Sequence, residues 1–159
     1  MDNNIVIFES EDKSVCISVQ MTDDSVWLNR NQIAELFGRD VKTIGKHINN
    51  TLKEELSEDD STVAKFATVQ LEGDREVTRD IEYYNLDVII SVGYRVKSLR
   101  GTQFRQWATK RLNEYIRKGF AMDDERLKSL GGGGYFKELL DRIRDIRASE
   151  KGLVAICER

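Results

Sequence analysis

The sequence predicts an α+β fold: a winged helix-turn-helix-like N-terminal part with β-hairpins, then a helical part and a C-terminal amphipathic helix. Three observations predict it. Residues 27–48 carry the spacing of two short helices joined by a tight turn. Two runs rich in β-branched and aromatic residues, 62–70 and 76–84, follow that motif. From residue 85 onward, apolar side chains recur at helical spacing. The expected divisions are a winged domain at 1–84, a basic helical region packed on it at 85–130, a glycine linker at 131–134, and a helix with its tail at 135–159.

Residues 5–8 and 15–19 read as a strand hairpin, and 26–28 as a short third strand. Asn29 suits a helix cap, with Gln32 placed to return the bond. Ile33, Leu36 and Phe37 then share a face, and Gly38 can stop the helix by taking positive φ. Ile44 and Ile48 lie at i, i+4 and would bury a second helix from about Val41 to Asn50, extending towards Leu52 or Leu56. Gly45 inside it should cost about 1 kcal/mol of helix propensity relative to alanine. A plain helical hairpin, or a helix-turn-helix used only for protein contacts, would fit the same spacing.

The hairpin after the motif resembles a wing. Its tip carries Arg75 but also Glu72, Asp74 and Glu76, so a DNA-touching wing and a purely structural hairpin both fit. Asn85 can cap a helix over 86–92, and a basic break at 93–100 leads to a helix over about 102–118. There Phe104, Trp107, Ala108, Leu112, Tyr115 and Ile116 form an apolar stripe expected to pack in the core. Gly119 is placed to end that helix. Over 135–149, Phe136, Leu139, Leu140, Ile143 and Ile146 form an apolar side suited to a homodimer or to the chain's own domain.

The net charge of −3 argues against a polyanion partner until it is divided along the chain. Residues 1–60 hold 6 basic and 13 acidic side chains, whereas 95–118 hold 8 basic and 1 acidic. A local basic stripe governs polyanion binding more than the overall balance does. The proposed second helix leaves Lys42, Thr43, Lys46 and Asn49 on its outer side, types that reach base edges or phosphates. Arg30, Asn31 and Arg39 are expected at the DNA backbone, and Arg95, Lys97, Arg100 and Arg105 are expected to extend the footprint. The expected partner is double-stranded DNA, and the expected role is regulatory. The alternative is a protein-interaction adaptor without direct DNA binding.

No catalytic centre is legible. His47 is the single histidine, so a multi-histidine metal cluster is excluded, and it lies in the proposed DNA helix, facing DNA or solvent. Cys16 and Cys157 stand apart and read as reduced thiols. A phosphate-binding GxxxxGK[ST] is missing. The acidic pairs Asp23-Asp24, Asp59-Asp60 and Asp123-Asp124 read as solvated loop charge. No apolar run nears the roughly 18 residues that span a membrane. The expectation is a non-enzymatic, cofactor-free, cytoplasmic protein with no membrane partner.

The run Asn85-Leu-Asp-Val-Ile-Ile-Ser-Val-Gly-Tyr-Arg-Val, with Phe104-Arg-Gln-Trp-Ala after it, resembles the signature of the RhuM family of bacterial virulence-associated proteins. Gln32-Ile-Ala-Glu-Leu-Phe and Tyr135-Phe-Lys-Glu-Leu-Leu resemble other parts of that family, and the likeness spans roughly residues 4–150. More loosely, the block from Asn85 is similar to the N-terminal domains of phage antirepressors. The resemblance implies a DNA-binding protein of pathogenicity and mobile islands, and it carries over no catalytic residues. Residues 151–159 depart from the family pattern where members generally continue, which implies a truncated, frameshifted or naturally short form.

Overall fold

The computed structural model describes residues 20–22, 25–56, 61–129 and 134–157. The expected strands at 5–8 and 15–19, Cys16, the acidic pairs Asp23-Asp24 and Asp59-Asp60, and the first three linker glycines lie outside them.

A two-residue strand β1 (Gln20–Met21) pairs antiparallel with β2 (Val26–Asn29). Helix α1 (Arg30–Phe37) begins where Asn29 caps it. The Asn29 side-chain oxygen accepts from the Gln32 amide, and the Gln32 side-chain oxygen accepts from the Asn29 amide, both at 2.9 Å. Gly38 takes the left-handed conformation, φ 62°, and ends the helix. After a short turn, α2 (Val41–Glu54) starts on a second cap, Asp40. The strands β3 (Val63–Glu72) and β4 (Arg75–Tyr84) then form a hairpin around Gly73 and Asp74, with Gly73 at φ 65°. β3 runs two residues and β4 one residue nearer the tip than the composition suggested.

Three helices follow: α3 (Leu86–Arg95), α4 (Leu99–Lys118) and α5 (Asp124–Ser129). A last helix, α6 (Gly134–Cys157), outruns the expected 135–149. Helix α4 begins three residues before the predicted start. The Ser98 hydroxyl oxygen accepts from the Gly101 amide at 2.9 Å and so supplies a cap.

The chain divides into two units, residues 1–113 and 114–159. In the first, the strands run in the order β1-β2-β4-β3 and every pair is antiparallel. The core joins Leu28, Ile33, Leu36 and Phe37 to Ile44 and Ile48 of α2, Tyr84 of β4, Val88, Ile89 and Val92 of α3, and Phe104 of α4. Phe37 and Phe104 meet edge to face at 5.1 Å. Gly93 makes that approach possible: a Cβ there would sit 2.7 Å from the Phe104 ring and 2.8 Å from Phe37.

One core expectation is overturned. Phe104 is buried and Trp107 and Ala108 are half-buried, but Leu112, Tyr115 and Ile116 are exposed by 58%, 58% and 70%. At 1.5 Å per residue, the helix carries Leu112 roughly 12 Å past Phe104, which closes the core of the first unit, and Tyr115 and Ile116 belong to the second unit. In the second unit, Tyr135, Phe136, Ile143 and Ile146 of α6 are likewise exposed. Among the described residues, no helix is long and apolar enough to cross a membrane.

Candidate nucleic-acid interface

Two devices set α2. Its inner face, Ile44, Gly45, Ile48 and Thr51, is buried. Its start is fixed by Asp40, whose carboxylate accepts from the Thr43 amide at 2.8 Å and from the Thr43 hydroxyl at 2.7 Å. Those two bonds hold the Asp40 carboxyl below its usual range. Lys42, Lys46 and Asn49 fall on the opposite face and are exposed. Thr43, expected to face outward with them, is half-buried and bound to the cap.

Gly45, a weak point by helix propensity, has a packing reason. A Cβ there would lie 3.3 Å from the Arg30 guanidinium. Arg30 thus reaches from the first turn of α1 across the back of α2. It also bonds the Tyr84 hydroxyl, opposing the upward shift that burial gives that group. Asn31 beside it is exposed.

The turn between α1 and α2 is gripped by the segment that joins α3 to α4. Ser98 Oγ donates to the Phe37 carbonyl at 2.6 Å. Arg100 Nη1 donates to the Glu35 carbonyl at 2.7 Å, and its stem lies over Gly38. In the other direction, Arg39 donates to the Lys97 carbonyl. These carbonyls include the ones that a helix end leaves without intrahelical partners.

The remaining predicted cations divide the same way. Arg105 Nη1 donates to the Gly93 and Val96 carbonyls at 3.0 and 2.9 Å, closing the end of α3. Arg95 pairs with Glu54 at 2.9 Å and with Glu55. That pairing raises the Arg95 pKa and lowers that of Glu55. Of Arg95, Lys97, Arg100 and Arg105, Lys97 is the exposed one, and the other three are half-buried. His47 is half-buried rather than facing outward. Burial first, then the charges of Arg95, Lys46 and Arg39, holds its imidazole below the usual histidine range.

The structure therefore leaves Lys42, Lys46 and Asn49 exposed along one face of α2 and Asn31 exposed at the start of α1, while the Arg30 guanidinium lies against Gly45 and Tyr84. It places Arg39, Arg95, Arg100 and Arg105 in contacts within the fold. Sequence reasoning missed the Asp40 cap, although Asp40-Val-Lys-Thr43 has cap-to-N3 spacing. It also missed Ser98, whose residue type suits a helix cap but whose bond to Phe37, 61 residues away, has no local signal. Among the described residues, no group of three or more His, Cys, Asp or Glu is arranged to hold a metal.

No curated protein and no solved structure matches the chain. A family model does, over residues 61–156, from just before β3 into α6. The match leaves α1 and α2 upstream of it. It covers more than half of the sequence, and the chain belongs to the Virulence protein RhuM family.

Proposed function

We propose that the protein binds double-stranded DNA through a winged helix-turn-helix, with α2 entering the major groove. One observation supports this most: α2 is capped, gripped from behind, and turns Lys42, Lys46 and Asn49 to solvent. Those residues lie at i, i+4 and i+7, along one stripe of the helix. Asn can bond adenine in two places, and Lys can reach guanine or phosphate. Arg30 and Asn31 stand at the start of α1, where backbone amides favour a phosphate. The role that follows is a regulator carried on a bacterial mobile or pathogenicity island. The family match supports membership and begins after α2, so the groove assignment rests on geometry and charge alone.

Selection from a random duplex pool, read by sequencing, tests the proposal. Enrichment of a motif supports it; a flat pool with folded protein overturns it. The second reading is an adaptor that binds protein and no duplex. The exposed apolar side chains of α6, Ile146 at 68% among them, favour it.

A further inference from the structure

Among the described residues, the order β1-β2-β4-β3 leaves β3 at the edge of the sheet. The phase of its ladder can be read. The Asn85 amide donates to the Thr62 carbonyl at 3.1 Å. Antiparallel hydrogen-bonded pairs recur at every second residue. Ala64, Phe66, Thr68, Gln70 and Glu72 therefore turn their backbone groups towards β4, and Val63, Lys65, Ala67, Val69 and Leu71 turn theirs outward. Among the described residues, β4 is the one element packed extensively along β3.

Long edge strands are normally protected by proline, a bulge, inward charge or charged edge side chains such as lysine. The chain has no proline, and the β3–β4 register runs without a bulge from Val63 to Glu72. Of the outward-turned residues, Lys65 alone is charged, while Val69 and Leu71 are exposed by 59% and 76%.

We propose that β3 pairs antiparallel with β3 of a second copy, Ala67 against Ala67 on the twofold axis. An axis normal to the sheet keeps each side chain on its own face, so only residues of like facing can stand opposite each other. Of the registers this allows, the one centred on Ala67 joins every outward-turned residue: Val63 to Leu71, Lys65 to Val69, Ala67 to itself. Identical side chains meet only at the smallest one, about 5.5 Å apart by backbone. Apolar Val63 and Leu71 cover each other. No like charges face across the seam, and Lys65 keeps Glu82 beside it on β4. This self-matching argues for a second copy over an unrelated strand. The inference stands apart from DNA binding.

Light scattering on the full chain tests it, with circular dichroism as the check on folding. The wild type should show twice the chain mass of 18.3 kDa. Val69→Lys sets lysines opposite each other on both sides of the axis and should weaken the dimer on the order of tenfold. Lys65→Glu combined with Val69→Lys sets opposite charges there and should restore it. Ala67→Pro removes an outward amide and no bond to β4, so it should give a monomer with unchanged strand content. Ile143→Asp in α6 should leave the mass as it is. A monomeric wild type, a dimer indifferent to Val69→Lys and Ala67→Pro, a charge-swapped double variant that stays monomeric, or a dimer lost on Ile143→Asp would overturn the proposal.

Discussion

The outer face of α2 and the segment over residues 95–105 are both cationic, and the fold treats them differently. On α2 the lysines stand clear of the protein, at 42 and 46. Over 95–105, the three arginines turn inward, to Glu54 and Glu55, to the Glu35 carbonyl, and to the Gly93 and Val96 carbonyls. The residue type explains the split. A guanidinium is a rigid fork that can hold two acceptors at once, which suits it to carbonyls at helix ends. A lysine carries a single, strongly hydrated charge on a flexible aliphatic stem, and its ammonium head stays in water. The arginines of the densest basic run thus hold the turn between α1 and α2 and the ends of α2 and α3 in place, and the thinner run faces outward.

If that contrast is sound, stability and DNA affinity should separate by residue. The largest loss of stability should come at Gly93→Ala, where a Cβ would strike both Phe37 and Phe104. Overpacking of this kind costs about 1–3 kcal/mol, visible in a urea melt. An unchanged midpoint would show that the junction of α1, α3 and α4 has room to spare. Arg105→Ala should come next, at about 1–2 kcal/mol, because two carbonyls lose a charged donor. Arg105→Lys should recover only part of it, since one ammonium does not reproduce the fork.

Thr51→Val should act in the opposite direction. The Thr51 hydroxyl is fully buried without a hydrogen-bond partner among the described residues. Replacing it by a methyl of similar size should add about 1 kcal/mol and leave duplex binding alone.

The smallest effect concerns pH. Asp40 has a folded pKa below its ordinary one, so its contribution is present above the ordinary carboxylate range. It is lost as pH falls through the lowered value. Asp40→Asn keeps a capping oxygen and should flatten this acid limb of the melting curve while leaving the neutral midpoint nearly unchanged. An acid limb identical to that of the wild type would show that Asp40 has no part in the pH dependence.

Much of the fold was legible because local rules and the global fold agree in its first half. The Asn29–Gln32 cap, the Gly38 stop and the Ile44–Ile48 spacing all appear where the sequence places them. The stripe on α4 misled because periodicity says that one face is apolar, not that anything covers it. Phe104 and Leu112 share a face, and only Phe104 reaches the core. The candidate site was half legible. Lys42, Lys46 and Asn49 follow from helical spacing alone. The fates of Arg39, Arg100 and Arg105 depend on partners 58, 65 and 9–12 residues away, and no local pattern encodes the longer two.

Whether α2 meets DNA while the 95–105 arginines support it from within is decided most directly by salt dependence. Duplex affinity would be measured across a series of salt concentrations for the wild type, for Lys42→Ala/Lys46→Ala and for Arg100→Ala. Removing one phosphate-binding cation should reduce the slope of log affinity against log salt by about one unit. The lysine pair should therefore flatten the slope by about two units and leave melting unchanged. Arg100→Ala should leave the slope unaltered and lower the melting temperature. A flattened slope for Arg100→Ala, with no change for the lysine pair, would contradict the proposed division between the two regions.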